Sequence, residues 1–323
     1  MAAPALLLVA LVVAVATGSS EVTVGQLLGS LGRGLRGEAV GALDTIVLQI
    51  RVPRALLAAL VGGGLGLAGA VYQGVFRNPL ADPYLLGTAG GAGFGAALAA
   101  VFGGSAGFLG LQAPLLAFVF ALASVIVVML LAQQGGALPV VRLILAGVVL
   151  SSILGAGTSF LMLAERELTA GILARLLGGF SFAGWAEVAV VTGFMVPAVV
   201  VAMSLARALD VLQLGEEGAA QLGLPVESVK YVLLVAATLV TAAAVSVAGI
   251  IGFVGLMTPH AVRLLVGPRH RALLVHSLAW GATFMVVADL LARTVITPAE
   301  LPVGIITALV GGPFFLVLLW RRR

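Results

Sequence analysis

The sequence predicts an all-α, polytopic membrane protein with about ten transmembrane helices. Three observations point there. Of its 323 residues, 61% are hydrophobic and 9% are charged, whereas an ordinary soluble domain carries about 25% charged residues. The apolar stretches run continuously rather than alternating, so the backbone groups that hydrocarbon cannot solvate must be satisfied within helices rather than in a barrel. At roughly 20 residues per crossing, these stretches use nearly all of the chain, which therefore reads as one transmembrane domain over residues 1–323 lying in a lipid bilayer. The net charge of +4 is topology information in such a protein, so nucleic acid is excluded as a partner. Cysteine is absent, which removes disulfides and thiolate metal sites.

The first crossing is expected at residues 4–17. This stretch has the length of a secretory signal, but no Lys or Arg precedes it, so it reads as a retained span. A polar, glycine-containing connection over residues 18–54 carries Arg33, Arg36, Arg51 and Arg54 and can hold a short surface helix. The second span covers residues 55–76. The turn Arg77-Asn-Pro-Leu-Ala-Asp-Pro83 ends it, because residues before proline are biased away from helix. The third span, residues 86–101, is dense in glycine and suits close approach by another backbone. The fourth and fifth spans cover residues 114–132 and 143–163. Between residues 164 and 184 the apolar core ILARLLGGF is too short to cross, which predicts an interfacial or re-entrant helix. The sixth span is residues 185–206.

Residues 231–262 hold no Lys, Arg, Asp or Glu. One helix of that length would overshoot a ~30 Å hydrocarbon core. The run therefore breaks, with Gly249, Gly252, Gly255 and Pro259 as the expected points, giving spans seven and eight. The ninth span is residues 273–293 and the tenth is residues 303–320. Ten spans place both termini on one side, and the Lys and Arg distribution weakly favours the cytoplasm for it. Arg51, Arg54 and Arg293 are left on the outer side without a topological reason.

The longest charged interruption lies at residues 210–230, with Leu214-Gly215-Glu216-Glu217-Gly218-Ala219-Ala220-Gln221-Leu222-Gly223-Leu224 at its centre. A short helix there, between two spans, could be a solvated linker or a contact for a cytosolic partner. The sole lysine, Lys230, follows Val229, so the chain has no phosphate-binding GxxxxGK[ST] loop and no catalytic residues for ATP hydrolysis. His260, His270 and His276 lack the spacing of an intramembrane metalloprotease, and no metal site is expected. A proton- or sodium-coupled carrier would show unpaired ionisable groups within its spans. Here Asp289 has Arg293 four residues on, which reads as a structural ion pair.

Specific motifs narrow the class. Arg51-Val-Pro-Arg-Ala-Leu-Leu, Gly69-Ala-Val-Tyr-Gln73, Arg77-Asn-Pro-Leu-Ala-Asp-Pro and Leu86-Gly-Thr-Ala-Gly-Gly-Ala-Gly are similar to the opening signature of the FecCD family of ABC-transporter permeases. The central loop, Ala248-Gly-Ile-Ile-Gly-Phe-Val-Gly-Leu-Met-Thr-Pro-His, Ala288-Asp-Leu-Leu-Ala-Arg and Glu300-Leu-Pro-Val-Gly-Ile-Ile-Thr resemble the same family in the same order. The resemblance implies a permease like that of the vitamin B12 importer: a homodimer with two cytosolic ABC ATPases below and a periplasmic or extracellular substrate-binding protein above, in a bacterial inner membrane. No cofactor is then bound by this chain, and ATP and Mg belong to the partner ATPase. The same resemblance implies that residues 214–224 are the ATPase-coupling helix and that the fifth and tenth spans line the path, where Gly147, Ser151, Ser152, Gly155, Gly304 and Thr307 supply small side chains. Arg51, Arg54 and Arg293 are expected to receive acidic side chains of the binding protein. The expected cargo is an iron chelate, haem or ferric siderophore, with cobalamin as the alternative. An ion-coupled secondary carrier is the rival from another class.

Overall fold

The computed structural model describes residues 2–18, 22–38, 41–102, 112–296 and 299–321. Among these, regular structure is helical apart from one isolated bridge between Gln134 and Ala137. Six helices are long and apolar enough to cross a membrane: α4 (Val52–Phe76, continuous with the preceding turns), α6 (Gln112–Ala132), α7 (Val140–Ala164), α9 (Trp185–Ser204), α12 (Val226–Ala248) and α14 (His270–Thr294). Four shorter apolar helices complete the expected ten: α1 (Ala2–Ala16), α5 (Thr88–Phe102), α13 (Val254–Val266) and α15 (Val303–Arg321). The others are short or lie across the bundle. They are α2 (Val24–Arg36), α3 (Ala42–Thr45), α8 (Thr169–Leu176), α10 (Ala206–Leu212) and α11 (Glu216–Gln221). The surface helix expected within residues 18–54 is α2, and the short helix expected within residues 164–184 is α8.

Helix α4 runs through the middle of the bundle, and its glycines allow this. A methyl added at Gly62 would lie 2.3 Å from the Gly281 carbonyl oxygen, and one at Gly69 only 1.7 Å from that of Gly255. Small residues thus let α14 and α13 touch α4 backbone to backbone, which is how helices gain packing contact where lipid offers no hydrophobic drive.

The start of α4 solves a local problem. Residues Ile46–Arg51 form a π-helix, in which the Val52 N–H reaches the Val47 carbonyl. In that i→i+5 register the next donor would be Pro53, which has none. The Trp185 indole takes its place, donating to the Leu48 carbonyl at 2.9 Å.

The long uncharged run breaks as the sequence requires. Helix α12 ends at Gly249 with φ 72°, and α13 begins after Phe253, whose φ of 70° is unusual for a bulky residue. The break therefore takes in Gly249 and Gly252, whereas Gly255 and Pro259 lie inside α13. Extended backbone buried in a bundle must find partners. The Tyr84 hydroxyl provides them, donating to the Ile251 carbonyl at 3.1 Å and accepting from the Ile251 N–H at 3.3 Å. Tyr84 sits on a 3-10 turn, Pro83–Leu86, whose proline packs against Gly255 halfway along α4.

Candidate functional site

Two charged clusters lie at opposite ends of the bundle, both built on α4 and α14. At one end the 210–230 loop is tied down at its base. The Asp210 carboxylate accepts from the His270 backbone N–H at 2.9 Å and pairs with His270 Nδ1 at 2.7 Å, capping the start of α14. Gln213 Nε2 donates to the Gly74 carbonyl at the end of α4, at 2.9 Å.

From this base α11 projects as the expected short helix. Gly215 enters it at φ 97°, and Glu216 and Glu217 occupy the first turn, where the helix dipole favours acids. The exit is a Schellman motif: Gly223 N–H bonds to the Ala220 carbonyl and Leu224 N–H to that of Ala219, with Gly223 at φ 80°. Lys230 is 1% exposed, and its ammonium bridges Glu216 at 3.1 Å and Glu227 at 2.9 Å. The second Glu227 oxygen accepts from the Leu138 N–H at 2.8 Å. A buried ammonium requires such partners, and here they fix α11 against α12. Ala219 faces inward, while Leu214 and Leu222 are 67% and 66% exposed. The loop therefore offers two apolar side chains outward from a fixed base.

At the other end Arg51, Arg54 and Arg293 converge, and each has partners within the protomer. Asp289 is held chiefly by Arg54, which donates to it from Nη2 at 2.8 Å and from Nε at 3.1 Å. The Arg293 Nε lies 3.7 Å away, so the expected Asp289–Arg293 pair is the weaker contact. Arg54 also donates to both Glu300 oxygens at 3.0 Å. The guanidinium beside it lowers the Glu300 pKa below the usual carboxylate range.

The topologically unexplained arginines serve the end of α1. That helix has no basic residue in its last turn, and its final carbonyls have no intrahelical donors. Arg51, 6% exposed, donates to the Val15 and Ala16 carbonyls at 3.0 Å each. Arg293 donates to the Ala14 and Thr17 carbonyls, the latter at 2.9 Å. Cations at a helix C-terminus also complement its dipole.

The six expected path residues separate. Ser152 and Gly155 lie on the exposed face of α7, and Ser151 is half-buried beside Gly90. Three others make close contacts within the protomer. Gly147 packs under the Leu85 carbonyl, where a methyl would sit 2.0 Å away, and Gly304 packs against that of Leu177 at 2.4 Å. Thr307 is fully buried and donates to the Gly304 carbonyl at 3.1 Å. At Gly147 and Gly304 a neighbouring backbone of the same protomer leaves no room for a side chain. No cluster of His, Asp and Glu suited to a metal occurs among the described residues.

Irregular backbone that is buried inside the bundle and satisfied there, rather than facing lipid, is what a helical membrane protein requires of a break between spans, and broken helices of this kind recur in transporters. The chain belongs to the FecCD transport family, whose model matches residues 6–321. It is 46% identical over 280 residues to the cobalamin import system permease BtuC of Halobacterium salinarum, covering 87% of this chain and 74% of that one. It is 39% identical over 285 residues to the hemin transport permease HmuU of Yersinia pestis, covering 87% and 85%. A solved inward-facing structure of a metal-chelate type ABC transporter superposes with a TM-score of 0.86 at 30% identity, covering 99% of this chain and 98% of that one. The chain is thus the transmembrane permease subunit of an ABC importer.

Proposed function

We propose that this permease carries an iron chelate inward across a bacterial inner membrane, with its termini cytoplasmic, as a homodimer served by two ABC ATPases and an outer binding protein. The observation that carries the coupling role is α11, a short helix flanked by the outward-facing Leu214 and Leu222 while Lys230, Asp210 and Gln213 hold its base. Such a helix can pass a push from an ATPase to α4, α12 and α14. ATP and Mg are handled by that ATPase, and this chain contributes no catalytic residue or cofactor. The exposed apolar faces of α7 and α15, including Val149, Ile153, Leu309 and Val310, support a second protomer there. Ser151, Ser152 and Gly155 would then lie beside the path.

For the binding protein, the supporting feature is charge. Arg54 and Arg293 share Asp289 and Glu300, with Arg51 beside them on the α1 carbonyls, and the cationic excess suits acidic side chains, which set association rate and register. Because Arg51 and Arg293 already serve α1, the partner would meet Arg54 and the half-exposed Glu300. The 46% identity to a cobalamin permease favours a corrinoid as the second cargo reading. Co-expression with the ATPase and binding protein, reconstitution, and uptake of haem against cyanocobalamin decide between them. Faster cyanocobalamin uptake rejects the iron-chelate assignment.

A further inference from the structure

Next to the outer arginine cluster, a cavity of 520 Å³ opens between α8 and helices α5, α6 and α12, within the size range of small-molecule sites. Cavity and cluster share a wall, since Ser181 lines the cavity and donates to a Glu300 oxygen at 3.1 Å. Half of the lining residues are alanine or glycine. Against these stand Arg175, in the last turn of α8, and Phe182, whose ring is 81% exposed and lies 5.7 Å beneath the Arg175 guanidinium.

Arg175 differs from the arginines of the neighbouring cluster. Arg51, Arg54 and Arg293 donate to carbonyls and carboxylates, but among the described residues no carboxylate forms an ion pair with Arg175. Partial burial lowers its pKa without an acid to offset it. Glu187 also lines the cavity, but it sits in the first turn of α9, where the helix dipole balances its charge, and it makes no pair with Arg175. A fork of unspent donors over an aromatic face suits a flat ligand bearing a carboxylate.

We propose that Arg175 and Phe182 form a cargo subsite that receives a carboxylate-bearing iron chelate as the binding protein releases it. The guanidinium grips a carboxylate and the ring stacks on the ligand. This inference rests on the importer reading above and narrows its cargo. Cobalamin carries amides where haem carries carboxylates, so the subsite favours haem-like or citrate-like chelates.

The test uses the full complex, with its ATPase and loaded binding protein, in proteoliposomes, and haem as the probe. Losing one charge-assisted contact should slow haem uptake by Arg175→Gln about tenfold. Arg175→Lys, which keeps charge but not the fork, should fall between the two. Basal ATP hydrolysis and binding-protein docking should remain at wild-type level in both, and Phe182→Leu should lower haem uptake with the same spared readouts. Equal haem uptake by wild type and Arg175→Gln overturns the subsite and leaves the importer reading intact. ATP hydrolysis falling in step with uptake also overturns it, by showing a structural role. Absence of uptake of both haem and ferric citrate by the wild type rejects the iron-chelate reading and the subsite together.

Discussion

Replacing Asp289 by Asn tests the clamp that joins α4 to α14. The carboxylate is almost fully buried and takes three contacts from Arg54, with the Arg293 Nε at 3.7 Å. Asn keeps the shape and one acceptor but removes the charge, leaving two buried guanidiniums short of a counter-ion. Breaking a buried pair in this way costs about 3–5 kcal/mol. Glu300 still holds one edge of Arg54, which places the cost near ~3 kcal/mol. Glu300 itself is half-exposed, and its removal as Glu300→Gln should cost no more than ~1 kcal/mol. At roughly 2–4 °C per kcal/mol, Asp289→Asn should unfold about 6–12 °C below wild type and Glu300→Gln within about 4 °C. The assay is thermal unfolding of the purified protein in one detergent, at one scan rate because membrane-protein unfolding is commonly irreversible. The reasoning is refuted if Asp289→Asn melts within about 2 °C of wild type, or if Glu300→Gln falls as far.

Tyr84→Phe should cost about 1–3 kcal/mol, because it strands the buried Ile251 carbonyl and N–H; an unchanged melting temperature would show that another group satisfies the break. Gly223→Val places a β-branched residue at φ 80°, a strain of about 1–3 kcal/mol confined to the loop. Assembly should survive while ATP-driven uptake falls at least tenfold, and unchanged uptake would mark the loop as a linker. Glu300 has a lowered pKa because of Arg54, so its contribution is fully present above the ordinary value of 4.5 and is lost as pH falls through its lower folded value. The stability gap between wild type and Glu300→Gln should therefore hold from pH 7 to pH 5 and close only below 4.5; a gap that closes between pH 7 and 5 contradicts the Arg54 contact.

Periodicity and breaker residues made the crossings legible, since long apolar runs and proline-rich turns act locally. They gave the ten helices, the surface helix α2 and the short helices α8 and α11. What they could not give were contacts between residues far apart in the chain. Nothing near α1 signals that Arg51 and Arg293 would take its terminal carbonyls, since those partners lie 35 or more positions away. Asp289 misled for the same reason: Arg293, four residues on, was the visible partner, while Arg54 reaches it across 235 positions. Small residues on the fifth and tenth spans read equally well as a lumen or as close packing. Gly147 and Gly304 do meet a neighbouring backbone within the protomer, at the 3-10 turn Pro83–Leu86 and at the segment after α8. Trp185 carried a usable signal, because Pro53 within a helix leaves one carbonyl in want of a donor.

The central claim is that this permease moves its cargo by ATP hydrolysis in a separate subunit, transmitted through α11. The most direct measurement is haem uptake into proteoliposomes containing the permease, its ATPase and its binding protein, with ATP and an ion gradient supplied separately. The account predicts uptake with ATP alone, abolished when the ATPase is omitted and reduced at least tenfold by Gly223→Val. Uptake driven by a proton or sodium gradient without ATP would contradict it.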